Sequence, residues 1–230
     1  MSAVNTKIVV AIDGPAGAGK STVAKILAEK LHCTYIDTGA MYRAVAFEIL
    51  EKSKNPTEDE IEIQAQKILE DFQIDLKFEN GMTRVFVNGR DISEEIRTPR
   101  VSQLVPYVAS IDFVREKLVD LQRKMSRNQS VVLDGRDIGT VVLPDANVKI
   151  FLTASIEERA RRRFEELKSK GIESVDLETL QREIAARDRA DIERKISPLR
   201  QAPDAIRIDS TNDRIDQVVA MILEQCELIR

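Results

Sequence analysis

Gly14, four intervening residues and then Gly19-Lys20-Ser21 form a spacing with one well-defined chemistry. Glycines let a backbone wrap closely around an anion, because no Cβ holds the N–H groups away. A lysine directly before the hydroxyl residue can reach β- and γ-phosphates, and the hydroxyl suits Mg²⁺. The stretch Gly14, Pro15, Ala16, Gly17, Ala18, Gly19, Lys20, Ser21 and Thr22 is therefore predicted to cradle the phosphates of a nucleoside triphosphate. The flanks agree. Ile8-Val9-Val10-Ala11-Ile12 enters the turn as a buried strand, and Val23, Ile26, Leu27 and Leu31 leave it at helical spacing.

A second group follows Ser130-Val131-Val132-Leu133-Asp134, an apolar strand closing on an acid in the form of a Walker-B strand. Asp134 is a candidate to hold Mg²⁺ through water, or else a turn aspartate after a buried strand. Gly135-Arg136-Asp137-Ile138-Gly139-Thr140 comes next. Arg136 can bridge phosphate oxygens, and Asp137 can accept from an amino group. A third group, Asp37-Thr38-Gly39-Ala40-Met41-Tyr42-Arg43, leaves the short strand Thr34-Tyr35-Ile36-Asp37 and opens a helix. Ligands gather at the carboxyl ends of parallel strands, which places Thr38, Tyr42 and Arg43 well for a substrate. Spacing alone leaves this even with the plainer reading, Thr38 as an N-cap and Arg43 as a solvated charge. Arg187, Asp191 and Arg194 fall at i, i+4 and i+7 on one helix face, which ordinary ion pairs would also explain. The run Arg159, Arg161, Arg162 and Arg163 reads first as a solvated face balanced by Glu157, Glu158, Glu165 and Glu166.

The elements that must position these groups alternate strand and helix, with one interruption. Thr57 to Glu60 is a capping box starting a helix that ends near Phe72. Ile74, Leu76 and Phe78, then Val85 and Val87, switch to a period of two. Asn80-Gly81 and Asn88-Gly89 are hairpin signals. Together they predict a small antiparallel sheet over about 73–93, inserted as a movable flap over the carboxyl edge of the main sheet. Thr98-Pro99 starts a helix to about Ala109, and Ser110 is expected to cap the next, which carries Arg115. Val148-Lys149-Ile150-Phe151-Leu152 is a strand, and Ser155 to Glu158 is a second capping box whose helix ends before Gly171. A helix from Leu177 is expected to end at Pro198. Ala205 to Asp209 is the last strand, with Ser210 or Thr211 capping the final helix.

The 230 residues suit one domain or one core with insertions, and 43% hydrophobic content supplies that core. A net charge of −4 gives no support to coating a nucleic acid polymer. With His32 as the only histidine, multi-histidine metal or triad chemistry is excluded; its place suits a C-terminal helix turn. Cys33 and Cys226 form no C-x-x-C and are expected to be buried, inert thiols. Met1 to Lys7 is polar, and no stretch approaches the roughly 20 apolar residues of a membrane span, so a cytoplasmic protein without a membrane partner is expected. A P-loop switch is disfavoured, since no Asn-Lys-x-Asp appears.

Taken together, these stretches resemble the bacterial cytidylate kinases, within the nucleoside monophosphate kinases. The resemblance rests on Ile12 to Thr22, Asp37 to Arg43, Ile96-Arg97-Thr98, Asp134 to Thr140, Pro144-Asp145-Ala146, Val148 to Leu152, Glu157 to Ala160, and Arg187-Asp188 to Ser197-Pro198-Leu199. It spans nearly the whole chain. It implies an α/β fold of P-loop NTPase type: a five-stranded parallel sheet flanked by helices, an inserted monophosphate-binding domain over 38–112, and an arginine-bearing helical lid over 155–197. It further implies ATP with Mg²⁺ as donor, CMP or dCMP as acceptor, and a monomer. By position, Thr38 and Arg43 would meet the acceptor phosphate, and Arg115 and Asp137 the cytosine. Arg187 and Asp191 would hold the ribose. Lys20, Arg136 and Arg194 would neutralise charge during transfer, and Arg159 and Arg163 would be lid arginines on the nucleotide. One departure stands out: Pro106 occupies a place where many members carry a base-touching serine, for which Ser102 or Ser110 is a candidate substitute.

Overall fold

Val9–Asp13 (β1) is a run of aliphatic residues buried almost throughout, as a strand covered on both faces must be. In the protein's computed structural model, which describes residues 7–79, 82–169, 171 and 175–228, it pairs in parallel on both sides. Val131–Gly135 (β6) lies on one side and Val148–Thr153 (β7) on the other. Ile206–Asp209 (β8) pairs in parallel with β7, and with Thr34–Asp37 (β2) the sheet has five strands in the order β2-β6-β1-β7-β8. Register matters here. Ile12 faces Asp134 and Asp13 faces Gly135, so the glycine loop after β1 and the Gly-Arg-Asp turn after β6 leave the sheet side by side.

The described residues fall into two compact units, one within Met1–Cys33 and Gln129–Arg230, the other within Thr34–Asn128. In the first unit, the helices Lys20–Leu31 (α1), Ile156–Ser169 (α6), Leu177–Glu193 (α7) and Ile215–Glu227 (α8) accompany the strands. α6 and α7 share a small core of Ala160, Leu180 and Ile184, with Phe164, Leu167 and Val175 against it. α1 closes with His32 in the left-handed region, φ 54°, its N–H on the carbonyls of Ala28 and Glu29, at the helix end foreseen for it. Gly171 likewise has a positive φ of 75° after α6.

The second unit has its own core. Thr38–Lys52 (α2), Glu58–Glu70 (α3), Pro99–Val108 (α4) and Asp112–Ser126 (α5) enclose Met41, Val45, Ile49, Val85, Ile96 and Leu118, among others. The antiparallel sheet is present as Ile74–Glu79 (β3), Met82–Val87 (β4) and Arg90–Asp91 (β5) in that order. Val85 and Val87 turn their side chains to the core while Met82 and Arg84 are exposed, the alternation of a one-sided sheet. The hairpin residues Asn80-Gly81 lie outside the described residues. Asn88, φ 49°, and Gly89, φ 81°, make the left-handed turn their types favour. The capping box of α3 forms both ways, Thr57 accepting from the Glu60 N–H and Glu60 from the Thr57 N–H.

Several boundaries differ from expectation. Ser110 caps nothing; its hydroxyl donates to the Tyr107 carbonyl, and Ile111 is the N-cap of α5. α7 ends at Glu193, five residues before Pro198. A residue before proline is held out of the helical region, and the chain folds back so that the Leu199 N–H reaches the Asp191 carbonyl. Ser210 and Thr211 turn to Thr153 and Asp209 instead of capping α8, whose N-cap is Arg214. At α6 Ser155 accepts from the Glu158 N–H, but the Glu158 carboxylate is taken by Arg161 and Arg162. Cys226 is buried as expected, whereas Cys33 is only half-buried. Residues 138–142 form a turn of π-helix that the spacing did not announce. No described helix is long and apolar enough to cross a membrane.

The second unit's core sets its stability. Leu118 is fully buried within it, so Leu118→Ala should cost about 2–5 kcal/mol in equilibrium urea unfolding; a loss under about 1 kcal/mol would show that this core is not close-packed.

Candidate active site

The loop from Gly14 to Gly19 joins β1 to α1 under tight backbone constraint. Gly14 has φ 149°, and a Cβ there would stand 1.9 Å from the Leu152 carbonyl oxygen of β7. Gly19, φ 87°, is the N-cap of α1, which has no side-chain cap and no acidic residue in its first turn. By contrast, Asp37, Thr57 and Thr98 cap α2, α3 and α4. The positive end of α1 is therefore left for an external anion.

Lys20 opens that helix and is only 5% exposed. Its ammonium donates to the Pro15 carbonyl at 2.7 Å. Burial first, then the nearby Arg136 and Arg187 cations, hold its pKa well below the usual lysine range, against the pull of Asp134 and Asp13. Such a cluster of cations at an uncapped helix start is the chemical complement of a polyphosphate. Beside it the Ser21 hydroxyl donates to Asp134 Oδ2 at 2.7 Å. Both offer hard oxygen donors, the set Mg²⁺ takes when phosphates and water complete its shell. No group of three or more His, Cys, Asp or Glu that could hold a metal ion occurs among the described residues.

Asp13, at the end of β1, pins the turn after β6. Its two carboxylate oxygens accept from the Ile138 and Gly139 N–H groups at 2.8 and 2.7 Å. Burial, with Asp137 close by, pushes the carboxyl up to about 6 although those N–H groups oppose the shift. The pinned turn carries Arg136 and the buried Asp137. Arg136 donates through Nε to Asp191 Oδ2 on α7 at 2.7 Å, and Arg194 Nη1 lies 3.8 Å from Asp191 Oδ1. Arg194 itself stands just past α7, turned off the helix with ψ 131°, and donates to the carbonyls of Ile196 and Ser197. Lys20, Ser21, Asp134, Arg136, Asp191 and Arg194 are thus brought together within one unit, with Arg187 near enough to act on Lys20.

In the other unit, Thr38 is not the N-cap of α2; Asp37 takes that place, accepting from the Ala40 N–H at 2.9 Å. Thr38 is 4% exposed on the first turn. Arg43 folds back over Gly39, its Nη1 lying 3.4 Å from where a Cβ there would sit. The Arg115 guanidinium, buried on α5, stacks over the Tyr42 ring at 5.4 Å and donates to the Ala109 carbonyl at 3.1 Å. Pro106 lies inside α4. Of the candidate replacements for a serine there, Ser102 donates to the Thr98 carbonyl and Ser110 to that of Tyr107.

Three of the residues expected at the nucleotide are held by protein partners in this structure. Arg159 does not reach for a nucleotide; it is 4% exposed and donates to Asp188 and to the carbonyls of Ala16 and Ala154. Arg163 is exposed and pairs with Glu166. The Ala16 N–H is engaged by Asp188 Oδ1 at 3.2 Å, so it is not among the donors turned to an anion. Arg162, also on α6, lies by the end of the loop, its Nη1 3.8 Å from the position of a Gly19 Cβ. Asp188 and Asp13 were not singled out, yet each carried a signal: an acid at a position where the apolar pattern of its element continues.

The family model for cytidylate kinase matches residues 10–228. The chain belongs to the cytidylate kinase family. The cytidylate kinase of Carboxydothermus hydrogenoformans is 54% identical over 215 residues, covering 94% of this chain and 95% of that one. The cytidylate kinase of Bacillus subtilis is 50% identical over 221 residues, covering 96% and 97%. A crystal structure of a protein from Eubacterium ventriosum matches with a TM-score of 0.53 at 17% identity, over 97% of this chain and 99% of that one, a likeness of fold. This member of the cytidylate kinase family is accordingly an enzyme, a kinase.

Two outcomes test this geometry. Gly14→Ala should abolish nucleotide binding in equilibrium dialysis, because its Cβ overlaps the Leu152 carbonyl; binding at wild-type affinity would contradict that packing. The Asp13 carboxyl should titrate near 6 by carbon NMR, with the resonance lost in Asp13→Asn, and a midpoint below about 4 would contradict its burial. Since the folded value is raised above the ordinary 3.8, ionised Asp13 disfavours folding; its contribution to stability falls as pH rises from about 4 through 6 and recovers on acidification.

Proposed function

We propose that this chain transfers the γ-phosphoryl group of ATP, bound with Mg²⁺, to CMP or dCMP, giving ADP and CDP or dCDP. The observation that carries this reading is the buried Lys20 at an uncapped helix start, with Arg136 and Arg187 acting on it. Phosphoryl transfer asks for in-line alignment and neutralisation of spreading negative charge, with little covalent help. The acceptor phosphate is already ionised at neutral pH, so no strong base is needed, in keeping with a chain that has a single histidine.

In this reading the N–H groups of Gly17 to Thr22 and the Lys20 ammonium hold the donor phosphates. Ser21 and Asp134 would hold Mg²⁺, which when bound screens charge between the phosphates. Arg136 and Arg194 leave their carboxylate and carbonyl partners to meet the phosphates. Thr38 and Arg43 take the acceptor phosphate; Tyr42 and Arg115 flank the base. Asp137 accepts from the exocyclic amino group of cytosine, a contact UMP cannot make because it presents a carbonyl there. Arg187 and Asp191 hold the ribose. Residues 38–112 serve as the monophosphate-binding part and 155–197 as a lid that excludes water, the competing nucleophile. The acidic balance supports action on free nucleotides, as a cytoplasmic monomer, with no polymer partner.

A coupled ADP-release assay across monophosphates checks the assignment. CMP and dCMP should be the preferred acceptors, and AMP turning over as well as CMP would reject it. Asp137→Ala should reduce discrimination between CMP and UMP by about tenfold or more, the worth of one hydrogen bond to a charged group; undiminished selectivity would mean that the base is read elsewhere. Lys20→Ala should lower kcat by about a hundredfold or more, and near-normal turnover would remove the phosphate-loop argument.

A further inference from the structure

Leu180, Ile184 and Asp188 lie at four-residue spacing on the buried face of α7. An aliphatic side chain would be expected at the third of these positions. A carboxylate in such a place is costly unless it is fully paired. Asp188 Oδ2 accepts from Arg159 Nη1 at 2.7 Å, and Asp188 Oδ1 accepts from the Ala16 N–H at 3.2 Å. Arg159 Nη1 also donates to the Ala16 carbonyl at 2.8 Å, and its Nε donates to the Ala154 carbonyl at 2.9 Å. One buried ion pair therefore holds both polar backbone atoms of a single loop residue. The neighbouring Gly17, φ 76°, approaches so closely that a Cβ would stand 3.3 Å from Arg159 Cβ.

We infer that Arg159 and Asp188 are positioning residues, a clamp that sets the phosphate loop and ties it to the turn of α7 that bears Arg187 and Asp191. The second half of this rests on the reading of those two as acceptor residues. Asp188 directly follows Arg187 and precedes Asp191 by three positions, so whatever fixes Asp188 fixes both. The clamp works by geometry, since Arg159 Nε and Nη1 and both Asp188 carboxylate oxygens are engaged with each other and with backbone. Through it, the loop that receives the donor and the proposed acceptor turn of α7 keep a fixed spacing, and closure of the lid is left to the parts of α6 and α7 away from the clamp. A guanidinium fork suits this task, because it reaches a carboxylate and two carbonyls from one rigid plane.

A simple adhesive role predicts a different outcome. Replacing a buried ion pair by apolar residues of similar volume is often neutral for stability. The double variant Arg159→Met with Asp188→Leu should therefore melt within a few degrees of wild type. Its affinity for a non-hydrolysable ATP analogue, by calorimetry, should fall at least about tenfold, and kcat should fall with it. Arg159→Lys, which keeps the charge without the fork, should show the same direction with a smaller loss, and it decides the matter should the double variant not fold. Wild-type analogue affinity and kcat in the folded variant would overturn the clamp. Analogue binding does not depend on the acceptor, so a wild-type enzyme inactive on CMP would reject the proposed function and leave the clamp standing.

Discussion

Positive charge kept out of water at the carboxyl end of β1 is the constraint that the rest of the first unit serves. Lys20 is buried, the start of α1 is uncapped, and Arg136 and Arg187 crowd the same region. Two like charges 4 Å apart at an effective dielectric near 20 repel by about 4 kcal/mol. The fold offsets this with acids placed beside the cations: Asp134 near Lys20, Asp191 on Arg136 and Arg194, Asp188 on Arg159. Those acids compensate the cations within the fold. A polyphosphate can then take their place in part, which gives binding its driving force and its specificity for dense negative charge.

The parallel register of β1 and β6 turns that electrostatic arrangement into a site. With Asp13 opposite Gly135, the Asp13 carboxylate reaches two N–H groups of the adjoining turn and fixes Arg136 and Asp137 beside the phosphate loop. An acid held near 6 is a poor choice for stability, since burial opposes its charge. It persists because an ionised carboxylate offers two acceptors at once, and a hydrophobic residue there would leave two buried N–H groups without partners. In the second unit an aromatic face does comparable work: Tyr42 lies beneath Arg115 and orients a cation that would otherwise be lost to solvent.

What the sequence made legible was whatever is encoded over short spans. The glycine loop, the apolar strands, the Thr57 capping box and the period-two strands are all set by neighbours within a few residues, and each stands where expected. The misplaced features depend on partners far along the chain. Ala16 and Asp188 are 172 residues apart, Arg159 and Ala16 143 apart, and no spacing rule links them. Arg159 read as a surface or lid arginine because its helix is otherwise rich in charge; only the fold shows that it points inward. The early end of α7 is local instead: Arg194 donates to the carbonyls of Ile196 and Ser197, two and three residues on.

A crystal structure with a bisubstrate analogue, adenosine joined to cytidine through a polyphosphate bridge, tests the central claim most directly. The account predicts bridge oxygens on the Lys20 ammonium and on the first amides of α1, with the cytosine amino group against Asp137. A bridge lying away from Lys20, with that ammonium still on the Pro15 carbonyl, would contradict it.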